Sequence, residues 1–196
     1  MPYVELHCHS AYSFLDGASH PEELALRAAE LGYEALALTD HGNLHGSLKF
    51  YQAAKELGIN PVLGIEAYIA PGSRTVKEST GGGSKEASYH ITLLAQNADG
   101  FKNLIKLSSM AFLEGFYFKP RIDKEILEAH REGIICLSGC ISSEVNRLIL
   151  AGGERQFAPG GEEAEELVLV ARTQGVGEGV VRVFRPGDPG LFDLEV

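Results

Sequence analysis

The sequence is short of cysteine, of basic charge and of long apolar runs. Three cysteines in 196 residues, Cys8, Cys136 and Cys140, make no disulfide framework, and the odd count favours reduced thiols. Seventeen Lys and Arg stand against 27 Asp and Glu, a net charge of -10. Such a surface repels phosphate backbones, so the chain alone is not expected to bind nucleic acid strongly. A phosphate ligand would need a local cation, which bound metal ions supply. No apolar run approaches the roughly 18 residues of a membrane span. The start, MPYVELHCHS, lacks the basic and then apolar order of a secretory signal. These absences lead us to expect a cytoplasmic protein with no membrane partner. No internal repeat is present.

Hydrophobic residues make up 44% of the chain and charged residues 22%, values that suit one globular domain with a real core. Strands are expected at 3–7, 34–39, 61–69, 89–95 and 133–137. Helices are expected from a Ser19-x-x-Glu22 capping box with Pro21 to Leu31, from Gly46 to Leu57, from Ala98 to Ala111, after Asp123 to His130, and from Ser143 to Leu150. Leu24, Leu26, Ala28 and Leu31 read as the inner face of the first helix, and Leu48, Tyr51 and Leu57 as that of the second. Residues 70–88, with Gly81-Gly82-Gly83-Ser84, read as a long mobile loop. Strand and helix alternate, which argues an α/β fold with parallel strands, barrel-like or doubly wound. After about Gly152 the character changes. Residues 158–196 are rich in Gly, Glu, Val and Pro with weak periodicity.

The chemistry-bearing residues lie at or beside the expected strands. In a strand, His7 and His9 share one face and Cys8 takes the other, so both imidazoles could hold one metal. His-x-His also arises by chance. Thr39-Asp40-His41-Gly42 closes an apolar strand, where ligands of parallel sheets gather. His41 can reach a metal there, and Asp40 can bind or orient a ligand histidine from behind; a plain strand-to-helix turn is the bland alternative. Glu66 sits in the apolar run Val62–Ile69, where a carboxylate is expensive unless paired, on a metal or at an edge. His90 poses the same question. Asp16, before Gly17, is a turn residue first and a carboxylate ligand second. Cys140, taken alone, reads as a buried thiol. Imidazole and carboxylate together suit zinc or manganese better than calcium. Lys119 and Arg121 are basic residues that could meet phosphate, although solvated charge is the simpler reading.

Taken together these stretches resemble a known family. ELHCHSAYSFLDG (5–17), ALTDHGNLHG (37–46), PVLGIEAY (61–68) and SYHITLLA (88–95) resemble the successive motifs of the PHP (polymerase and histidinol phosphatase) domain. FYQAAKELGINPVLGIEAY, FLEGFYFKPRID and IICLSGC resemble that domain in bacterial DNA polymerase III alpha subunits rather than in histidinol phosphatase. The first motif with ASHPEEL also resembles the error-prone paralogue. The resemblance covers about residues 3–150. It implies a distorted (β/α)7 TIM-like barrel with up to three divalent metals, zinc or manganese, at its C-terminal face. The ligands it implies are His7, His9, Asp16, His41, Glu66, His90 and Cys140.

The family's late Asp-x-His motif has no counterpart: residues 158–196 hold Asp188 and Asp193 but no histidine. We therefore expect a PHP domain at 1–155, a divergent tail at 156–196, and a barrel left incomplete by truncation or a frame change near residue 155. The implied function is phosphoesterase-type metal chemistry, with 3′–5′ exonuclease activity in a complete alpha subunit. There its partners would be DNA and the other polymerase III holoenzyme subunits. The alternatives are a non-catalytic, metal-stabilised scaffold and a free-standing histidinol-phosphatase-like enzyme.

Overall fold

A computed structural model describes residues 3–14, 16–77, 88–140 and 142–150. The expected tail, the Gly81–Ser84 stretch and part of the expected loop lie outside the described residues. Ten elements follow one another: α1 (Pro21–Glu30), β1 (Ala35–Leu38), α2 (Ser47–Glu56), β2 (Asn60–Ile69), β3 (Tyr89–Ala95), α3 (Ala98–Leu113), β4 (Arg121–Ile122), α4 (Lys124–Ala129), β5 (Ile134–Leu137) and α5 (Glu144–Leu150).

The ten-residue β2 organises the sheet. Its first half pairs in parallel with β1, from Ala35 opposite Asn60 to Leu38 opposite Leu63. Its second half pairs antiparallel with β3, from Gly64 opposite Leu94 to Ile69 opposite Tyr89. Its last two residues pair in parallel with β4. β5 runs antiparallel to β3. Four strands therefore share one direction and β3 opposes them, a departure from the all-parallel expectation. The reversal sets the amino end of β3 beside the carboxyl end of β2. The result is a mixed, five-stranded α/β sheet among the described residues.

The expected first strand is reduced to one parallel bridge, Glu5 with Leu36. The segment is still tied down, because Ala37 N–H donates to Glu5 O and Thr39 N–H to Cys8 O. The start of α1 falls one residue later than expected. His20 is the capping position, and its N–H donates to the Glu23 carboxylate at 2.8 Å. Pro21 at the first helical position fixes this frame.

Helix faces were the least well predicted feature. α1 buries Ala25 and Ala28, whereas Leu26 and Leu31 are exposed. α2 buries Phe50 and Ala54 and leaves Leu48, Tyr51 and Leu57 in solvent. Small residues let the two helices approach closely, and the fully buried Phe50 fills the space beneath them with Leu36, Leu38 and Ile59. A second cluster joins Ile65, Ala67, Ile69 and Leu93 of the sheet to Leu104, Leu107 and Ala111 of α3. Each large apolar side chain so buried contributes roughly 1.5–3 kcal/mol. Gly100 lets α3 sit on the turn before β5: a Cβ there would fall 1.8 Å from Gly133 O.

Candidate metal centre

Glu66 lies at the heart of the molecule's polar cluster. It is 2% exposed, in the part of β2 where His41 bridges it on one side and Thr92 faces it on the other. Three imidazole nitrogens approach its Oε2: His7 Nε2 at 3.4 Å, His9 Nε2 at 3.1 Å and His41 Nδ1 at 3.1 Å. His90 Nδ1 lies 2.8 Å from its Oε1. Asp16 Oδ2 is 2.6 Å from His41 Nε2. Cys140 Sγ, in the loop after β5, lies 3.8 Å from His90 Nδ1. The fold therefore brings together His7, His9, Asp16, His41, Glu66, His90 and Cys140 from five separate stretches of chain.

Hydroxyl groups behind the histidines aim their rings. Ser13 Oγ has one proton and three polar neighbours: Asp40 Oδ1 at 3.0 Å, His41 N–H at 2.8 Å and His9 Nδ1 at 2.9 Å. Its proton goes to the Asp40 carboxylate, so His9 must donate from Nδ1 and keeps a lone pair on Nε2. Asp40, 2% exposed, also accepts from Ser10 N–H at 2.6 Å and Ser10 Oγ at 2.8 Å. It thus orients His9 through a serine and does not touch the ring. His7 Nδ1 faces Thr92 Oγ1 at 3.1 Å and Thr39 Oγ1 at 3.4 Å, which turns its Nε2 toward Glu66. Asn43 donates to the carbonyls of Tyr12 and His41 and thereby joins two of the loops that carry the cluster's histidines. Ser13, Thr92, Tyr68 and Asn43 were not singled out from sequence. Hydroxyl and amide residues are too common there to stand out, and only the third dimension gives them partners.

Electrostatics follow from this packing. Burial pushes the Glu66 carboxyl up, but hydrogen bonds from His7, His9 and His90 and the nearby His41 outweigh it and hold the group well below the usual carboxylate range. Burial lowers His41 against the pull of Glu66. The Cys140 thiol and then Glu66 raise His90 to about 9, against burial. Of those two, Glu66 at 2.8 Å is a true hydrogen-bond acceptor and the sulfur at 3.8 Å a longer contact.

The donor set fits divalent cations. His41 Nδ1 is buried without a hydrogen-bond partner, although it points at Glu66. Such an orphaned atom costs about 1–3 kcal/mol. His7 Nε2 and His9 Nε2 face each other at 2.9 Å, a contact that a shared cation relieves. Three overlapping triads, His7–His9–Glu66, His9–Asp16–His41 and His41–Glu66–His90, each gather ligand atoms within 4.8 Å of one another.

The expected phosphate contacts divide. Lys119 Nζ lies 4.4 Å from the centroid of the Tyr68 ring, which stacks on His41. Arg121 is buried, with donors on the carbonyls of Gly115, Arg74 and Val76, and it braces a loop rather than facing the cluster.

The PHP domain family matches residues 5–176. The chain belongs to the PHP domain family. It is 50% identical over 149 residues to the DNA polymerase III subunit alpha of Borreliella burgdorferi, a match covering 76% of this chain and 13% of that protein. It is 48% identical over 154 residues to that of Chlamydia pneumoniae, covering 79% of this chain and 12% of that one. The chain thus spans about an eighth of the curated relatives it matches. Among solved structures it resembles an amidohydrolase from Chromobacterium violaceum, with 27% identity, a TM-score of 0.38, and coverage of 55% of this chain and 34% of that one. Among the described residues of this PHP domain no helix is long and apolar enough to cross a membrane.

Proposed function

We propose that this chain is the PHP module of a DNA polymerase III alpha subunit, and that it carries a metal-dependent phosphoesterase site acting as a 3′–5′ exonuclease. The single observation that supports it best is the convergence of His7, His9 and His41 on one oxygen of Glu66, with His90 on the other. His7, His9, Asp16, His41, Glu66, His90 and Cys140 would hold the cations. Mixed imidazole and carboxylate donors favour zinc or manganese, and the three overlapping triads have room for up to three ions. When bound, the metal supplies Lewis-acid charge for a phosphoryl group and acidifies water.

The chain's own residues do the rest. Ser13, backed by Asp40, keeps the Nε2 lone pair of His9 aimed into the cluster, and Thr39 with Thr92 does so for His7. Glu66 stays ionised and balances cationic charge. The Tyr68 ring, packed on His41 and His90, walls off one side from water. The relatives support a holoenzyme setting in the cytoplasm, with DNA and the other polymerase subunits as partners. Residues 1–155 would form the PHP unit, followed by a separate segment at 156–196.

Metal analysis of the purified chain beside His9→Ala tests the reading. The chain should retain zinc or manganese through gel filtration, and the variant should lose at least one equivalent. Equal content in the two would remove the ligand assignment. Metal retention without release of nucleotides from a DNA 3′ end would leave a metal-stabilised scaffold.

A further inference from the structure

The turn between α3 and β4 stands at the rim of the cluster. Pro120 packs over the residue that follows His41: a Cβ on Gly42 would fall 2.9 Å from Pro120 Cγ and 3.0 Å from Tyr68 Cε2. Lys119 Nζ sits over Tyr68, and the Tyr68 and His41 rings are stacked at 5.7 Å with planes 9° apart. An ammonium group therefore stands one ring away from the histidines.

Phe118 is the tip of this turn. It has φ +59 and is the one non-glycine residue with positive φ among the described residues. It is also 79% exposed. A bulky side chain in the left-handed region is strained, and such strain gathers at functional sites. Here it contributes nothing to the core, because the ring projects into water. The turn is nonetheless firmly built. Tyr117 N–H donates to Lys119 O at 3.0 Å, the Tyr117 ring meets Phe118 edge-on at 4.6 Å, and the Arg121 guanidinium lies 5.0 Å from the Tyr117 centroid.

We propose that Phe118 and Lys119 form a nucleotide-reading lip for the cluster. The Phe118 ring stacks on the terminal base of a single-stranded oligonucleotide, and the Lys119 ammonium contacts an adjacent phosphate. Stacking on an aromatic face works for every base, so the lip favours oligonucleotide ends over small phosphate esters that carry no flat ring. The inference rests on the phosphoesterase reading for what happens at the cluster, but the binding step is measured without turnover.

The test is fluorescence anisotropy of a 5′-labelled short single-stranded oligonucleotide at low ionic strength, in metal-replete and in chelator-treated protein. Phe118→Gly suits the backbone at this position, so its melting temperature should equal or exceed that of the parent chain. Its affinity should fall about tenfold. An oligonucleotide with an abasic 3′ end should bind the parent chain as weakly as the intact one binds Phe118→Gly. Lys119→Gln should weaken binding and reduce the slope of log affinity against log salt by about 0.7. Deoxy and ribo versions run side by side separate DNA from RNA, and binding of either through the lip supports the proposal. Equal affinity of Phe118→Gly and the parent chain overturns it, as does equal binding of intact and abasic ends, or no binding at all. Loss of metal in His9→Ala is read separately, so the lip and the metal assignment can fail independently.

Discussion

The Ser13 hydroxyl donates to Asp40 at 3.0 Å, and that one bond decides which nitrogen of His9 carries the proton, leaving the Nε2 lone pair toward the cluster. Ser13→Ala should therefore lower metal affinity about 10- to 100-fold although no ligand is removed. Competition titration with a zinc chelator of known affinity checks this. Unchanged affinity would show that His9 needs no such partner.

Metal should stabilise the fold as a whole. At a hundredfold excess over its dissociation constant, an ion that binds the folded chain adds about 2.7 kcal/mol. For a domain of this size that is a rise of several degrees in melting temperature, visible by calorimetry after chelation and re-addition. Glu66→Gln should abolish most of the rise, because Glu66 is shared by two of the three triads.

Gly42 combines φ +64 with close contact to Pro120 and Tyr68. Gly42→Ala should cost about 2 kcal/mol or more, from left-handed strain and overpacking together. Urea unfolding would measure it. Metal affinity should fall in parallel, because the push falls on the neighbour of His41.

Asp123 caps α4, accepting from Ile126 N–H at 3.1 Å, and also binds Arg74 N–H at 2.9 Å. Burial raises its carboxyl, but these bonds and the Arg74 guanidinium outweigh burial and hold it below the usual range. A carboxyl lowered in the folded state stabilises above its unfolded value of about 3.9, and the benefit is lost as pH falls through the folded one. Asp123→Ala should thus cost about 2–3 kcal/mol near neutrality, and the gap from the parent chain should narrow below about pH 4. Denaturant titrations at pH 7 and pH 3.5 would show it.

Sequence carried the members of the polar cluster better than the frame around them. His7, His9, His41, Glu66 and His90 stood out because imidazoles and a carboxylate among apolar strands need an explanation. The direction of β3 did not stand out, since YHITLLA reads as the same buried strand whichever way it runs. Helix faces failed for a similar reason. On α1 the inward reading holds for Leu24 and Ala28 and fails for Leu26 and Leu31; on α2 it fails for Leu48, Tyr51 and Leu57, and close helix contact selects Ala25 and Ala54 instead. Arg121 looked like a surface charge because no pattern announces that a guanidinium will be consumed by three backbone carbonyls.

His7 and Thr92 meet although 85 residues separate them along the chain. Closing so long a loop carries an entropic cost that only an assembled β1–β2–β3 array can offset. The pocket is thus expected to form late in folding. A cation that binds this cluster should then report completion of the sheet, its uptake expected to lag behind helix formation in a stopped-flow record.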